Sequence, residues 1–125
     1  MPILEISALR PTTSVDVPVA LSKINLAIAK AYGCDPRHCW ATVTWLEPGH
    51  YVEGDFPANT QPADTHPPIA RLTCFEGKSA AEIESVLLAA SHALSEAFAL
   101  GDNVFITYVE VKSGAVVAEN EVVRT

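Results

Sequence analysis

Positive charge is scarce in this chain: eight Lys and Arg stand against fifteen Asp and Glu, a net charge of −7. Such a surface repels phosphate backbones and anionic lipid, which excludes a nucleic-acid or membrane-surface partner. An anionic small molecule has to be held by a few placed cations. Long apolar runs are also missing. No stretch approaches the ~18 consecutive apolar residues of a membrane span, and no charged segment with a long apolar core opens the chain. Cysteine is limited to Cys34, Cys39 and Cys74. This odd set has no metal-type doublet spacing, so it points to reduced thiols in a cytoplasmic protein with no metal site and no cofactor.

What is present is apolar bulk, 49% of the 125 residues, with 18% charged. One domain of this size buries roughly two-thirds of the surface its unfolded chain exposes, and the apolar excess suits burial against further subunits. The chain opens on Met1-Pro2-Ile3-Leu4-Glu5-Ile6, a β-type run that begins with proline. If Met1 is removed, Pro2 presents a free secondary amine. An ordinary α-amino group titrates at roughly 7.7 to 8.0, and desolvation or nearby cations lower that value. A neutral amine of this kind suits proton abstraction next to a carbonyl.

Pro2 to Leu9 reads as a strand, followed by turn chemistry at Arg10-Pro11-Thr12-Thr13-Ser14. Asp16 caps a helix that tolerates Pro18 in its first turn, carries Leu21, Ile24 and Ile28 on one face, and stops at Gly33. Trp40 to Leu46 is a second strand, which completes a βαβ unit with parallel strands. His50 to Glu53 forms a short hairpin arm, and Phe56 to Pro67, with three prolines, reads as a linker. Pro68 to Phe75 is the next strand. Ser79-Ala80-Ala81-Glu82 is a capping box opening a helix that runs to Leu100-Gly101, Val104 to Val111 is the fourth main strand, and Gly114 to Ala118 mirrors the earlier arm.

The halves superpose in sequence. With one constant step Pro2-Ile3 falls on Pro68-Ile69, Leu21 on Leu87, Ala31 on Ala97 and Tyr32 on Phe98. After the helix the step shortens by one residue, and Trp40 then matches Phe105, Gly49 matches Gly114 and Val52 matches Val117. The expected fold is therefore α/β: two duplicated β-α-β units, 1-55 and 68-120, joined by the linker 56-67. They form a four-stranded mixed sheet with both helices on one face, the other face being left for neighbouring subunits.

A processed amino-terminal proline opening a duplicated βαβ unit resembles the tautomerase superfamily, founded on 4-oxalocrotonate tautomerase. Phe75-Glu76-Gly77-Lys78-Ser79 is similar to the family's Glu-Gly-Arg-Ser turn, and Gly49-His50-Tyr51 to its Gly-His-Phe. The resemblance implies a homotrimer of fused chains, with Pro2 as general base or acid and Lys78 where an arginine grips a substrate carboxylate. Pro68 has only an amide nitrogen and cannot titrate, so each subunit holds one site. Tyr51 would line the pocket beside Pro2. Thr12 stands at the first-half counterpart of the arginine, with Arg10 two residues away. Trp40 and Phe105 replace the second family arginine, Arg37 is a spare cation, and His38 stands where malonate semialdehyde decarboxylases carry an aspartate. The implied activity is proton transfer on a small 2-hydroxy-dienoate or enolpyruvate-type carboxylate. Hydration, dehalogenation or decarboxylation of a three-carbon acid, with Glu119 or Glu53 positioning water, stays open, as does a non-catalytic oligomeric module.

Overall fold

A computed structural model describes all 125 residues. β1 (Ile3–Leu9), α1 (Val17–Tyr32), a 3-10 turn (Pro36–His38) and β2 (Trp40–Leu46) are followed by a small hairpin of β3 (Val52–Glu53) and β4 (Phe56–Pro57). The second half repeats the plan with β5 (Ile69–Phe75), α2 (Ala80–Phe98), β6 (Phe105–Val111) and a hairpin of β7 (Val116–Ala118) and β8 (Glu121–Val123). The sheet order is β2-β1-β5-β6. Each half contributes a parallel pair, and the central pair, β1 with β5, is antiparallel. This is the expected mixed four-stranded sheet.

Local chemistry sets the helix ends. Asp16 Oδ1 accepts from the Val19 N–H at 3.2 Å, and Gly33 closes α1 in the left-handed region at φ 85°, where a side chain would be strained. Ser79 and Glu82 form the reciprocal capping box at 3.2 and 3.0 Å. α2 stops earlier than expected: Ala99 takes the left-handed cap at φ 54° and donates to Ser95 O. The hairpin arm differs too. It runs on through Phe56–Pro57, two residues into the stretch expected as linker, because these pair with Val52–Glu53.

Alternation along the strands decides the layers. Leu4, Ile6 and Ala8 of β1 and Ala70, Leu72 and Cys74 of β5 turn one way and pack with Ile24, Ile28, Val86 and Leu94 of the helices in one core. Burying each large aliphatic side chain contributes about 1.5–3 kcal/mol. The other face carries Glu5, Thr42, Arg71 and Thr107 together with Trp40, Ile69, Phe105 and Val109, all exposed in the single chain. No helix is long and apolar enough to cross a membrane.

Candidate active site

Strand register assembles the surroundings of Pro2. Ile3 lies opposite Trp40 on β2 and opposite Thr73 on β5. One residue back, the same registers set Pro2 between Cys39 and Cys74. The Trp40 N–H donates to Pro2 O at 3.0 Å, which carries the pairing past the end of β1. Pro2 is fully buried, and Cys39 and Cys74 are 4% and 0% exposed.

The thiols and phenols around this end are uncharged at neutral pH. Burial pushes the Cys39 thiol up to about 12, the neighbouring Cys34 adding to the effect and the amino-terminal charge opposing it. Burial also raises Cys74, against weaker lowering by Tyr108, the amino-terminal charge and Lys78. Tyr32 and Tyr108 are raised by burial first and by the nearby thiols second. The buried Tyr108 hydroxyl has no well-formed hydrogen bond; its interaction with the Cys74 thiol falls short of that geometry. Apolar, neutral surroundings favour a free amine over an ammonium.

Lys78 is the cation built into this end. Gly77, at φ 113°, turns the chain out of β5, and the turn is tied to the end of β6 by Glu76 N–H to Val111 O and Ser113 N–H to Glu76 Oε2, both 2.9 Å. From there Lys78 Nζ donates to the Tyr32 carbonyl at the negative end of α1 at 3.1 Å, lies 4.3 Å from the centre of the Tyr32 ring, and stands 3.8 Å from Glu82 Oε2. An ammonium has three donors, so a carboxylate can be added to this arrangement. Arg37 and His38 sit on the exposed turn before Cys39. The Arg37 guanidinium is engaged with Asp35 at 3.2 and 3.4 Å, and the Arg37 N–H and guanidinium hold the Asp35 carboxyl below the usual range.

Two expected site residues lie elsewhere in the chain. Because β2 runs parallel to β1, its end leads to the opposite edge of the sheet from Pro2. Tyr51 therefore stands beside Pro68, its hydroxyl donating to Pro67 O at 2.6 Å, rather than lining the Pro2 end. Arg10 is at that far edge too, 5.5 Å from the centre of the Trp45 ring. Either residue can reach a Pro2 only across a subunit contact. The residues that sequence reasoning passed over are Cys39, Cys74, Tyr32 and Tyr108. Cys39 precedes Trp40 and Cys74 follows Thr73, the two strand partners of Ile3, so the registers rather than a local motif bring the thiols to Pro2.

Met1, half-buried, is joined to Pro2 and makes its nitrogen an amide. Its removal exposes the amine and opens the place it fills. The counterpart, Pro68, is also buried, but its end is sealed: His66 is 4% exposed, its Nε2 lies 2.7 Å from Phe56 O, and its backbone N–H donates to Glu53 Oε1 at 3.1 Å. Gln61 Nε2 and Asn103 Nδ2 bind Thr65 O at 3.2 and 2.7 Å. The void left there is about 10 Å³, too small for a ligand.

No protein-family model matches the sequence, and no curated protein matches it. Solved structures do. The Q0 fused 4-OT, a wild-type symmetric trimer, matches with TM-score 0.81 at 11% identity over 97% of this chain and 94% of that one. A protein inactivated by 2-oxo-3-pentynoate matches with TM-score 0.81 at 14% identity over the same shares, 97% and 94%. Malonate semialdehyde decarboxylase matches with TM-score 0.70 at 16% identity over 93% and 89%.

Proposed function

Starting from a chain that has the tautomerase-superfamily fold, we propose that it is an isomerase in which Pro2, freed of Met1, moves a proton between oxygen and carbon of a small 2-hydroxy-dienoate or enolpyruvate-type acid. The observation that carries this reading is the burial of Pro2 between the uncharged thiols of Cys39 and Cys74, at the same end as Lys78. The free amine takes the enol proton. Lys78 holds the carboxylate and offsets the charge that develops on the oxygen, and the amine then returns the proton to carbon. The space Met1 fills is where the substrate would lie.

The assembly in this reading is a homotrimer, as in the fused 4-OT neighbour. The exposed Trp40, Ile69, Phe105 and Val109 on the bare sheet face support it. A trimer also gives Arg10 and Tyr51 a way to a Pro2, from the next subunit, while Arg37 and His38 border the site from their own chain.

The test is ketonisation of phenylenolpyruvate or 2-hydroxymuconate by protein whose intact mass shows Met1 removed. Activity well above a Pro2→Ala control supports the reading, and none above it ends it. Treatment with 2-oxo-3-pentynoate should leave one adduct per chain, on Pro2, formed by addition of the amine across the triple bond with no leaving group. Decarboxylation or hydration by a protonated proline, the alternative raised by the decarboxylase neighbour, predicts activity that falls rather than rises as pH increases through the proline titration.

A further inference from the structure

We propose that Cys34 and Cys39 are an oxidation site, closed to a disulfide by hydrogen peroxide, and that closing it slows chemistry at the neighbouring Pro2. The two sulfurs lie 3.5 Å apart. A disulfide needs ~2.05 Å, so the atoms must close by roughly 1.5 Å. The segment between them is short and already folded back on itself. Gly33 turns the chain out of α1, the Cys34 N–H donates to Ala29 O at 3.1 Å, and the Cys39 N–H donates to Pro36 O at 3.0 Å. The Arg37 N–H and Asp35 Oδ1, 2.9 Å apart, brace the middle. Little chain freedom remains to be lost on closure.

Exposure orders the steps. Cys34 is half-buried and Cys39 is buried, so peroxide meets Cys34 first. The Cys34 thiolate attacks one peroxide oxygen, the O–O bond breaks and hydroxide leaves, giving the sulfenic acid. The Cys39 sulfur then attacks Cys34; the S–S bond forms, the S–O bond breaks, and the Cys39 proton leaves with the hydroxyl as water. Overall two thiols and one peroxide give one disulfide and two waters, sulfur being oxidised and peroxide oxygen reduced. Cys74 is kept out of this pairing, because the registers place it across β1, with Pro2 between it and Cys39.

The link to activity rests on the Pro2 reading above. Cys39 is bonded directly to Trp40, whose N–H holds Pro2 O at 3.0 Å. Drawing Cys39 toward α1 displaces the strand end that positions the proline. Misplacement by about 1 Å at a reacting group costs up to ~10²-fold in rate.

The experiment treats the full chain, Met1 removed, with stoichiometric hydrogen peroxide and follows both bond and rate. Expected are an intact mass lower by two hydrogens, a non-reduced peptide joining Cys34 to Cys39, and a Cys74 still open to alkylation after denaturation. Dithiothreitol reverses the change, Cys34→Ser prevents it and Cys74→Ser does not. Ketonisation falls by about tenfold or more on oxidation, recovers on reduction, and is insensitive to peroxide in Cys34→Ser. Conversion of Cys34 to sulfinic acid with Cys39 still alkylatable overturns the site. A disulfide that leaves the rate unchanged overturns the link to Pro2. Reduced protein without ketonisation activity removes the functional reading and with it that link, while the peptide map still decides the disulfide.

Discussion

The two ends of the sheet descend from the same βαβ plan and have gone opposite ways. At one end Pro68 is held in an internal peptide bond and closed over by Tyr51, Gln61, His66 and Asn103, each of which donates to a backbone carbonyl of the linker. At the other, Pro2 is joined to Met1, lies between Cys39 and Cys74, and shares its end with two tyrosines and a lysine. The repeated plan gives two equivalent positions, and the internal peptide bond at Pro68 leaves that nitrogen without a titratable form. The end that cannot titrate became a structural joint. The contrast teaches that chain connectivity, more than side-chain identity, decides which of two matched prolines is available as a base.

The sharpest way to break the comparison is to exchange the treatment of the two prolines. Pro2→Ala, or an extension that keeps Pro2 acylated, should lower kcat/KM by ~10²–10⁴, the range ascribed to a positioned general base. Pro68→Ala should leave activity near that of the parent, and a comparable loss there would erase the distinction. Next in size is Lys78. Lys78→Ala should reduce kcat/KM by ~10–100-fold, since a charge-assisted hydrogen bond is worth ~1.5–3 kcal/mol, and Lys78→Arg should restore most of it. The cost should be shared: KM rises through the carboxylate, held equally in ground and transition states, and kcat falls through the charge that develops on the oxygen. The structural end answers in a different readout: His66→Ala removes the short hydrogen bond that Nε2 donates to the Phe56 carbonyl and should cost about 1–3 kcal/mol of stability, measured by urea unfolding, with kcat unchanged.

Much of the fold was legible because its signals are local. Asp16, Gly33 and the Ser79–Glu82 box each act within a few residues, and the alternation in Ile3–Leu9 and Ile69–Phe75 names the buried face directly. The repeat carried the rest of the topology. The site was less legible. Placing Cys74 across from Pro2 requires the antiparallel register of β1 with β5, which is fixed by a linker whose hydrogen bonds no local motif announces. Tyr51 was expected beside Pro2 from a motif, yet a parallel crossover sends the end of β2 to the far edge. Lys78 was expected as a carboxylate ligand, and its binding of the Tyr32 carbonyl depends on two helix ends meeting, which sequence spacing does not encode.

That meeting of helix ends yields the smallest effect. Glu82 accepts from the Ser79 N–H and hydroxyl, which hold its carboxyl below the usual range, with Lys78 adding a little. A carboxyl whose folded value is depressed contributes stability above its unfolded pKa, and the contribution is lost as pH falls through the folded value. Ser79→Ala removes the cap from α2 and should cost about 1 kcal/mol. It should also flatten the acid-destabilisation curve by the hydroxyl's share alone, because the backbone N–H at position 79, the larger cause, and Lys78 still hold the Glu82 carboxyl low. Equal acid slopes in Ser79→Ala and the parent would assign the depression of Glu82 to the backbone N–H and Lys78, with no share from the hydroxyl.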